Sequence, residues 1–448
     1  MRRFQLVNTA AVTAALLLLP ALGLGLWPRP MAQGVARLLP QAQLLQSFGA
    51  SAGRPLPALW RQRLGSAAPR LWTRQQSTWW QFWGAHDEAG AYLVLPALSL
   101  SGVPGSSLPQ PPLLVDDLAV LASDPLSRQW LAERLRTVTR PQRGLEQRCL
   151  MQLRQPQVVY WSQAGLGSLA GPVAPLLQRL QQGCLRLQLR GFSLDLAGEA
   201  AAGSGVLGDA ASTDYRTSLR PLAPGTLLEL QGPSLEVLLQ GLLTRQLVRE
   251  PLASRYGITE AQLALLRRLP FVLRLRALAQ GPFQAGLELT VMPTAKDRVL
   301  WARLLAGLRQ PLQQQGLQEP TPKLQSLAPR LSAGVLPSTS WSDERGATVG
   351  GWSWMLPPSG VSGPGAEPRL VLYLGPPPSA MALASVPASD AAALVLRARP
   401  SELDRLGLWP QGFPALVRTA DQLDLAAGQG GIRPISQLKG RLELRRPR

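Results

Sequence analysis

His86 is the single histidine in the 448-residue chain. Any mechanism that needs an imidazole has to run through it, whether a Ser-His-Asp relay, a Cys-His pair or a histidine metal site. It stands beside Asp87 and Glu88 in a segment, 86–90, whose composition reads as a turn, where a solvated side chain is the default. There is no Cys-x-x-Cys, His-Glu-x-x-His or Walker A sequence. Zinc enzymes and nucleotide hydrolases therefore lose their usual signatures.

Three weaker motifs match a pattern but not its context. Gly203-Ser-Gly205-Val-Leu-Gly208 has the spacing of a dinucleotide fingerprint. That chemistry needs a buried strand before it and a helix N-terminus after it, so that backbone N–H groups meet the pyrophosphate. The residues that follow, Asp-Ala-Ala-Ser-Thr-Asp-Tyr-Arg, carry no apolar helical stripe, and the segment reads as a small-residue loop. Ser436-Gln-Leu-Lys439 matches Ser-x-x-Lys, but the Ser-Asp-Asn and Lys-Thr-Gly partners of that motif are missing, and Ser436 precedes an expected strand where the motif needs a helix start. Asp116-Asp117 and Asp195 with Glu199 are carboxylate pairs. Without a partner site such pairs read as solvated charges. No catalytic, cofactor-binding or metal-ligating residue is assigned, and no cofactor is expected.

Two cysteines, Cys149 and Cys184, are the whole complement. An even count permits one disulfide in an oxidising compartment. Two buried thiols are the alternative, since cysteine packs as a small hydrophobe. Trp79, Trp80, Phe82 and Trp83 crowd one expected strand. They suit either core packing or an exposed patch for a lipid, glycan or protein partner.

The elements that hold these residues follow from periodicity. Arg2 and Arg3 precede an uncharged stretch from 4 to 27, and about 20 apolar residues in a helix cross a bilayer core of about 30 Å. Residues 1–30 are thus expected to be a transmembrane signal-anchor. A signal peptide cleaved after Ala21-Leu22-Gly23 is the second reading. Either one sends the body out of the cytoplasm, with the N-terminus cytoplasmic and the membrane as a partner. The spacing over 31–47 reads as a helix, and 77–83 with 91–95 as a hairpin. Ser123-Asp124-Pro125 reads as a helix start.

A helix-strand-strand pattern then recurs at 172–182, 185–190 and 192–199; at 259–269, 271–276 and 283–292; and at 413–420, 422–426 and 441–445. Runs such as Leu185-Arg-Leu-Gln-Leu alternate apolar with polar, so one face is buried and the other faces water. The fold class expected is α+β: an N-terminal transmembrane helix followed by antiparallel sheets built from repeated helix-strand-strand units. Proline- and glycine-rich stretches suggest units at 1–30, 31–110, 111–325 and 326–448.

The net charge is +19 with only three lysines, at 296, 323 and 439. The arginines are scattered along the chain, mostly singly, whereas a nucleic-acid surface clusters its cations. No nucleic-acid partner is expected.

The segments "AALVLRA", "PSEL", "ALVRTADQLDL" and "GRLELR" between 391 and 445, with "STWWQFWG" and "LRLQLRGFSLDLAGE", resemble a group of long cyanobacterial proteins that begin with a membrane segment, domain-of-unknown-function family 3352. The resemblance implies a topology and a lineage, in which a body outside the cytoplasm lies in the periplasm or the thylakoid lumen, and transfers no functional residue. The function expected is binding or scaffolding at a membrane surface. Lipid handling by the half-apolar sheets is a second reading, and an enzyme of other mechanism a third.

Overall fold

The computed structural model describes residues 32–50, 53–84, 90–104, 107–137, 142–170, 180–201, 222–235, 246–267, 269–279, 283–294, 296–319, 338–355, 368–377, 393–409, 415–429 and 435–445. Its strands, in chain order, begin with β1 (Ala42–Phe48), β2 (Trp79–Gly84), β3 (Tyr92–Pro96), β4 (Leu113–Val115), β5 (Leu118–Leu121) and β6 (Val158–Trp161). There follow β7 (Gln182–Arg190), β8 (Ser193–Ala201), β9 (Thr226–Gly232), β10 (Phe271–Ala277) and β11 (Ala285–Val291). The last six are β12 (Thr339–Ser342), β13 (Thr348–Met355), β14 (Arg369–Leu374), β15 (Ala393–Ala398), β16 (Gln422–Gln429) and β17 (Ile435–Glu443).

All seventeen belong to one sheet. Every pairing is antiparallel, and the spatial order is β4-β5-β3-β2-β1-β6-β7-β8-β17-β16-β15-β9-β10-β11-β14-β13-β12. The last three strands of the chain therefore lie in the middle of the sheet. β17 pairs with β8, and β15 pairs with β9, so the C-terminal segment joins the first eight strands to the next six.

This architecture corrects the expected fold class. The strand-strand hairpins exist at β7–β8, β10–β11 and β16–β17, but they are parts of one continuous sheet and not sheets of their own, and most of the helix read over 172–182 lies outside the described residues. A hairpin with one apolar face still has unpaired edges, and edge-to-edge addition satisfies them. The sheet also runs across the boundaries expected near 110 and 325, since β3 pairs with β5 and β11 with β14.

The membrane expectation is corrected as well. Among the described residues no helix is long and apolar enough to cross a membrane, so a single-pass anchor with its body in the periplasm or thylakoid lumen is not supported. The expected span, residues 1–30, lies outside the described residues. The helix read over 31–47 is also revised. Only Val35–Leu38 is α-helical, and a short 3-10 turn leads into β1. Leu38, Leu39, Leu44 and Leu45 suit a helical stripe, but β1 is sandwiched between β2 and β6, and sheet pairing decides its conformation.

Packing follows the alternation. Around β1–β6 both faces are covered. Trp80, Phe82 and Val94 join a cluster with Leu131, Leu135 and Leu153 from the helices Pro125–Leu135 and Leu145–Leu153. Trp79, Leu93 and Leu95 join Trp60, Leu64 and Trp72 from Ala58–Leu64 and Ala68–Arg74 on the other side. From β7 to β14 one face carries leucine in register across neighbouring strands. One row reads Leu187, Leu196, Gly440, Leu425, Leu396, Leu230, Leu273, Leu289 and Leu372. Leu304, Leu305 and Trp301 of the helix Asp297–Gln314, and Leu403 of Pro400–Arg405, pack on that face. Gly440 interrupts the row because a Cβ there would run into Leu425 and the Asp424 carbonyl.

Candidate functional site

The polar members of the same alternating strands form the other face, and their register aligns them. Asp195 of β8 is opposite Arg441 of β17, which is opposite Asp424 of β16, which is opposite Arg397 of β15. Arg397 is opposite Glu229 of β9, Glu229 opposite Arg274 of β10, and Arg274 opposite Glu288 of β11. Seven strands thus carry one row in which carboxylate and guanidinium alternate without interruption. Opposite charges directly across a strand pair attract, and like charges repel.

The row is held by ion pairs of unequal closeness. Arg441 Nε donates to Asp195 Oδ1 at 2.9 Å, and Arg274 Nε to Glu229 Oε2 at 2.8 Å. Arg397 lies 3.7 Å from Glu229 and 3.9 Å from Asp424, bridging the two more loosely. Arg276, one turn of the pleat along, donates to Glu288 Oε1 at 2.6 Å. The centre is buried: Arg274, Glu229, Glu288 and Asp424 are each less than a tenth exposed. Burial pushes the Glu288 and Asp424 carboxyls above their ordinary values, because it penalises the charged form more than the neighbouring arginines favour it.

At the β8–β17–β16–β15 seam the ladder borders a recess of about 250 Å³ lined by Asp195, Ala197, Val395, Arg397, Asp424, Ala426, Lys439 and Arg441, among others. Its origin is legible in the register. The row next to the ladder is Ala197, Lys439, Ala426 and Val395, so small side chains flank a single lysine and leave room on both sides of it. Lys439 is exposed and has no ion pair among the described residues, while Asp424 Oδ1 is buried without a hydrogen-bond partner.

The residues singled out by sequence have other places. Cys149, on the helix Leu145–Leu153, and Cys184, on β7, form a disulfide with Cα atoms 5.7 Å apart. The exposed aromatic patch is corrected. Trp79, Trp80 and Phe82 are buried, and Trp83 is half-buried. Trp79 stacks on Phe48 at 4.2 Å, Phe82 stacks on Tyr92 at 4.6 Å, and Trp80 Nε1 donates to the Leu153 carbonyl at 2.9 Å. A strand covered by helices on both faces needs apolar residues at consecutive positions, which is why the run does not alternate.

Asp116 is a turn residue that accepts from the Gly34 N–H at 2.7 Å and from Arg37 at 3.1 Å. Glu199 pairs with Arg148 at 3.2 Å and Asp195 with Arg441 at 2.9 Å, so each carboxylate of that pair is engaged by its own arginine. Ser436 and Lys439 both lie on β17, where positions three apart point to opposite faces, so they cannot act together. His86 and the 203–208 glycines lie outside the described residues. Gly49-Ala50-Ser51-Ala52-Gly53 also has the Gly-x-Ser-x-Gly spacing. Ser51 lies outside the described residues, and the next helix begins only at Ala58 rather than directly after the serine, as a nucleophile elbow requires. Among the described residues no group of three or more His, Cys, Asp and Glu side chains could hold a metal ion.

No protein-family model matches the sequence, and no curated protein matches it. Among solved structures the chain is similar to one titled "Structure of crystal form III of TP0453", at 11% identity over 49% of this chain and 91% of that one, with a TM-score of 0.23. A score at that level supports no conclusion about fold or function.

Proposed function

We propose that this chain is a non-catalytic binding scaffold whose binding site is the charge-lined recess at the β8–β17–β16–β15 seam. The observation that carries this reading is a preformed space lined by Asp424, whose buried Oδ1 lies 3.9 Å from Arg397 and lacks a hydrogen-bond partner, and by Lys439, which has no ion pair among the described residues. A buried polar atom left unsatisfied costs about 1–3 kcal/mol, which a bound polar ligand would relieve. The surrounding carboxylates are engaged by arginines along the ladder, and that suits holding a ligand more than abstracting or delivering a proton. The lineage suggested by the resemblance to family 3352 belongs to the same proposal.

Native mass spectrometry of the gently purified full chain tests it. The expected result is a bound small molecule that Lys439→Glu removes while the melting temperature is unchanged. Spectra without an adduct, or an adduct indifferent to that substitution, would count against the recess as the site.

Lipid handling is the second reading, supported by the leucine face. Leu189 and Leu374, in one register row on β7 and β14, are 63% and 54% exposed, so the apolar face emerges at both margins of that region. An adduct of acyl-lipid mass that survives Lys439→Glu would favour it.

A further inference from the structure

We propose that the ligand of the recess is a small organic molecule carrying a phosphate, or a like oxyanion, next to a hydroxyl group; this rests on the scaffold reading. The recess brings three cations, Arg397, Lys439 and Arg441, against two carboxylates, Asp195 and Asp424, so it is one positive charge in excess. Arg441 is committed to Asp195 at 2.9 Å, and Arg397 is shared between Glu229 and Asp424. Lys439 remains, a point charge with three rotatable donors, standing between two alanines on the neighbouring strands. That is an oxyanion contact.

A bare anion would meet repulsion from Asp424, whose Oδ1 is buried and without a hydrogen-bond donor. A ligand that suits both groups presents an anionic end to Lys439 and an O–H to Asp424. The volume, about 250 Å³, is below the range of roughly 300–1,000 Å³ that holds drug-sized ligands, and so selects a compact molecule. The same chemistry occurs on a free metabolite-sized phosphate and on a glycerophospholipid headgroup.

Calorimetric titration of the full chain at low ionic strength tests this with glycerol 3-phosphate, inorganic phosphate and glycerol, and with phosphatidylglycerol vesicles as a separate arm. Glycerol 3-phosphate is expected to bind saturably and at least tenfold tighter than inorganic phosphate, with no binding of glycerol. Lys439→Glu should weaken binding at least tenfold without lowering the melting temperature. Asp424→Asn should reduce the preference for glycerol 3-phosphate over phosphate. Vesicle binding that requires Lys439, without soluble binding, assigns the group to a lipid headgroup. If no probe binds saturably, or Lys439→Glu binds as wild type does, the oxyanion assignment is overturned. In that case a Lys439-dependent adduct in native spectra leaves the scaffold reading standing, whereas its absence removes both.

Discussion

Arg274 Nε donates to Glu229 Oε2 at 2.8 Å across the β9–β10 pair, with the two side chains only 5% and 11% exposed. Arg274 is also the register partner of Glu288 on β11, so one guanidinium stands between two buried carboxylates. Removing one partner of a buried ion pair strands the other charge, which is a larger effect than the net worth of the pair. Arg274→Met should destabilise the chain by about 3–5 kcal/mol in urea unfolding. Arg274→Met with Glu229→Leu should recover a large part of that loss. Equal loss in the single and double variants would mean that the ladder is not a coupled ion-pair row.

Asp424 titrates in the sense opposite to a stabilising carboxylate. Burial raises its pKa above the ordinary 3.8, against the pull of Arg397 and Arg441 and the Gln422 hydrogen bond, with Glu443 adding to the rise. An acid that holds its proton more tightly in the fold supports stability most fully below 3.8, and that contribution is lost as pH rises through the folded-state value. Asp424→Asn removes this dependence. The stability of the variant relative to wild type should therefore rise between pH 3.5 and pH 7, as read from paired thermal melts. A flat or falling difference would contradict the assignment.

Asp124 has the reverse behaviour. It caps the helix Pro125–Leu135, accepting from the Ser127 N–H at 2.8 Å and from the Ser127 and Ser123 hydroxyls at 2.6 and 2.7 Å. These bonds hold its carboxyl down at about 2. The stabilisation is present above pH 3.8 and lost as pH falls toward about 2. Asp124→Ala should cost about 0.5–2 kcal/mol at pH 7, with the difference narrowing in acid. A variant as stable as wild type at pH 7 would rule out the cap as a stabilising contact.

The bridge between Cys149 and Cys184 closes a loop of 35 residues and ties a helix to β7. Cross-linking a loop of that length stabilises by about 4 kcal/mol, chiefly by restricting the unfolded chain. Reduction, or Cys149→Ala with Cys184→Ala, should lower the urea midpoint without changing the native far-ultraviolet spectrum. An unaltered midpoint would show that the bridge contributes nothing to stability.

The contrast between what was readable and what was not has a physical pattern. Local signals held where the physics is local. Asp124 before Pro125 sets a helix start, and Thr259 with Gln262 caps Glu260–Arg267 through reciprocal bonds, Gln262 Oε1 accepting from the Thr259 N–H at 2.7 Å. Alternation at 185–189 and 287–291 marks strands with one apolar face. The order of the strands was not readable, because the partner of Arg397 on one side is Asp424, 27 residues on, and on the other Glu229, far earlier in the chain. Arginines that look scattered in sequence are neighbours once β15–β17 enter between β8 and β9. The candidate recess depends on that insertion, so Lys439 stood out only as part of a misleading Ser-x-x-Lys match. The run Trp79-Trp80-Gln81-Phe82 was readable as a strand, but not as one buried on both faces.

The most direct test of the account is hydrogen–deuterium exchange of the full chain with and without saturating glycerol 3-phosphate. Ligand-induced protection should concentrate in peptides covering β8, β15, β16 and β17, and Lys439→Glu should abolish it. Protection confined to other strands, or none in wild type at concentrations that saturate the calorimetric signal, would contradict the seam as the binding site.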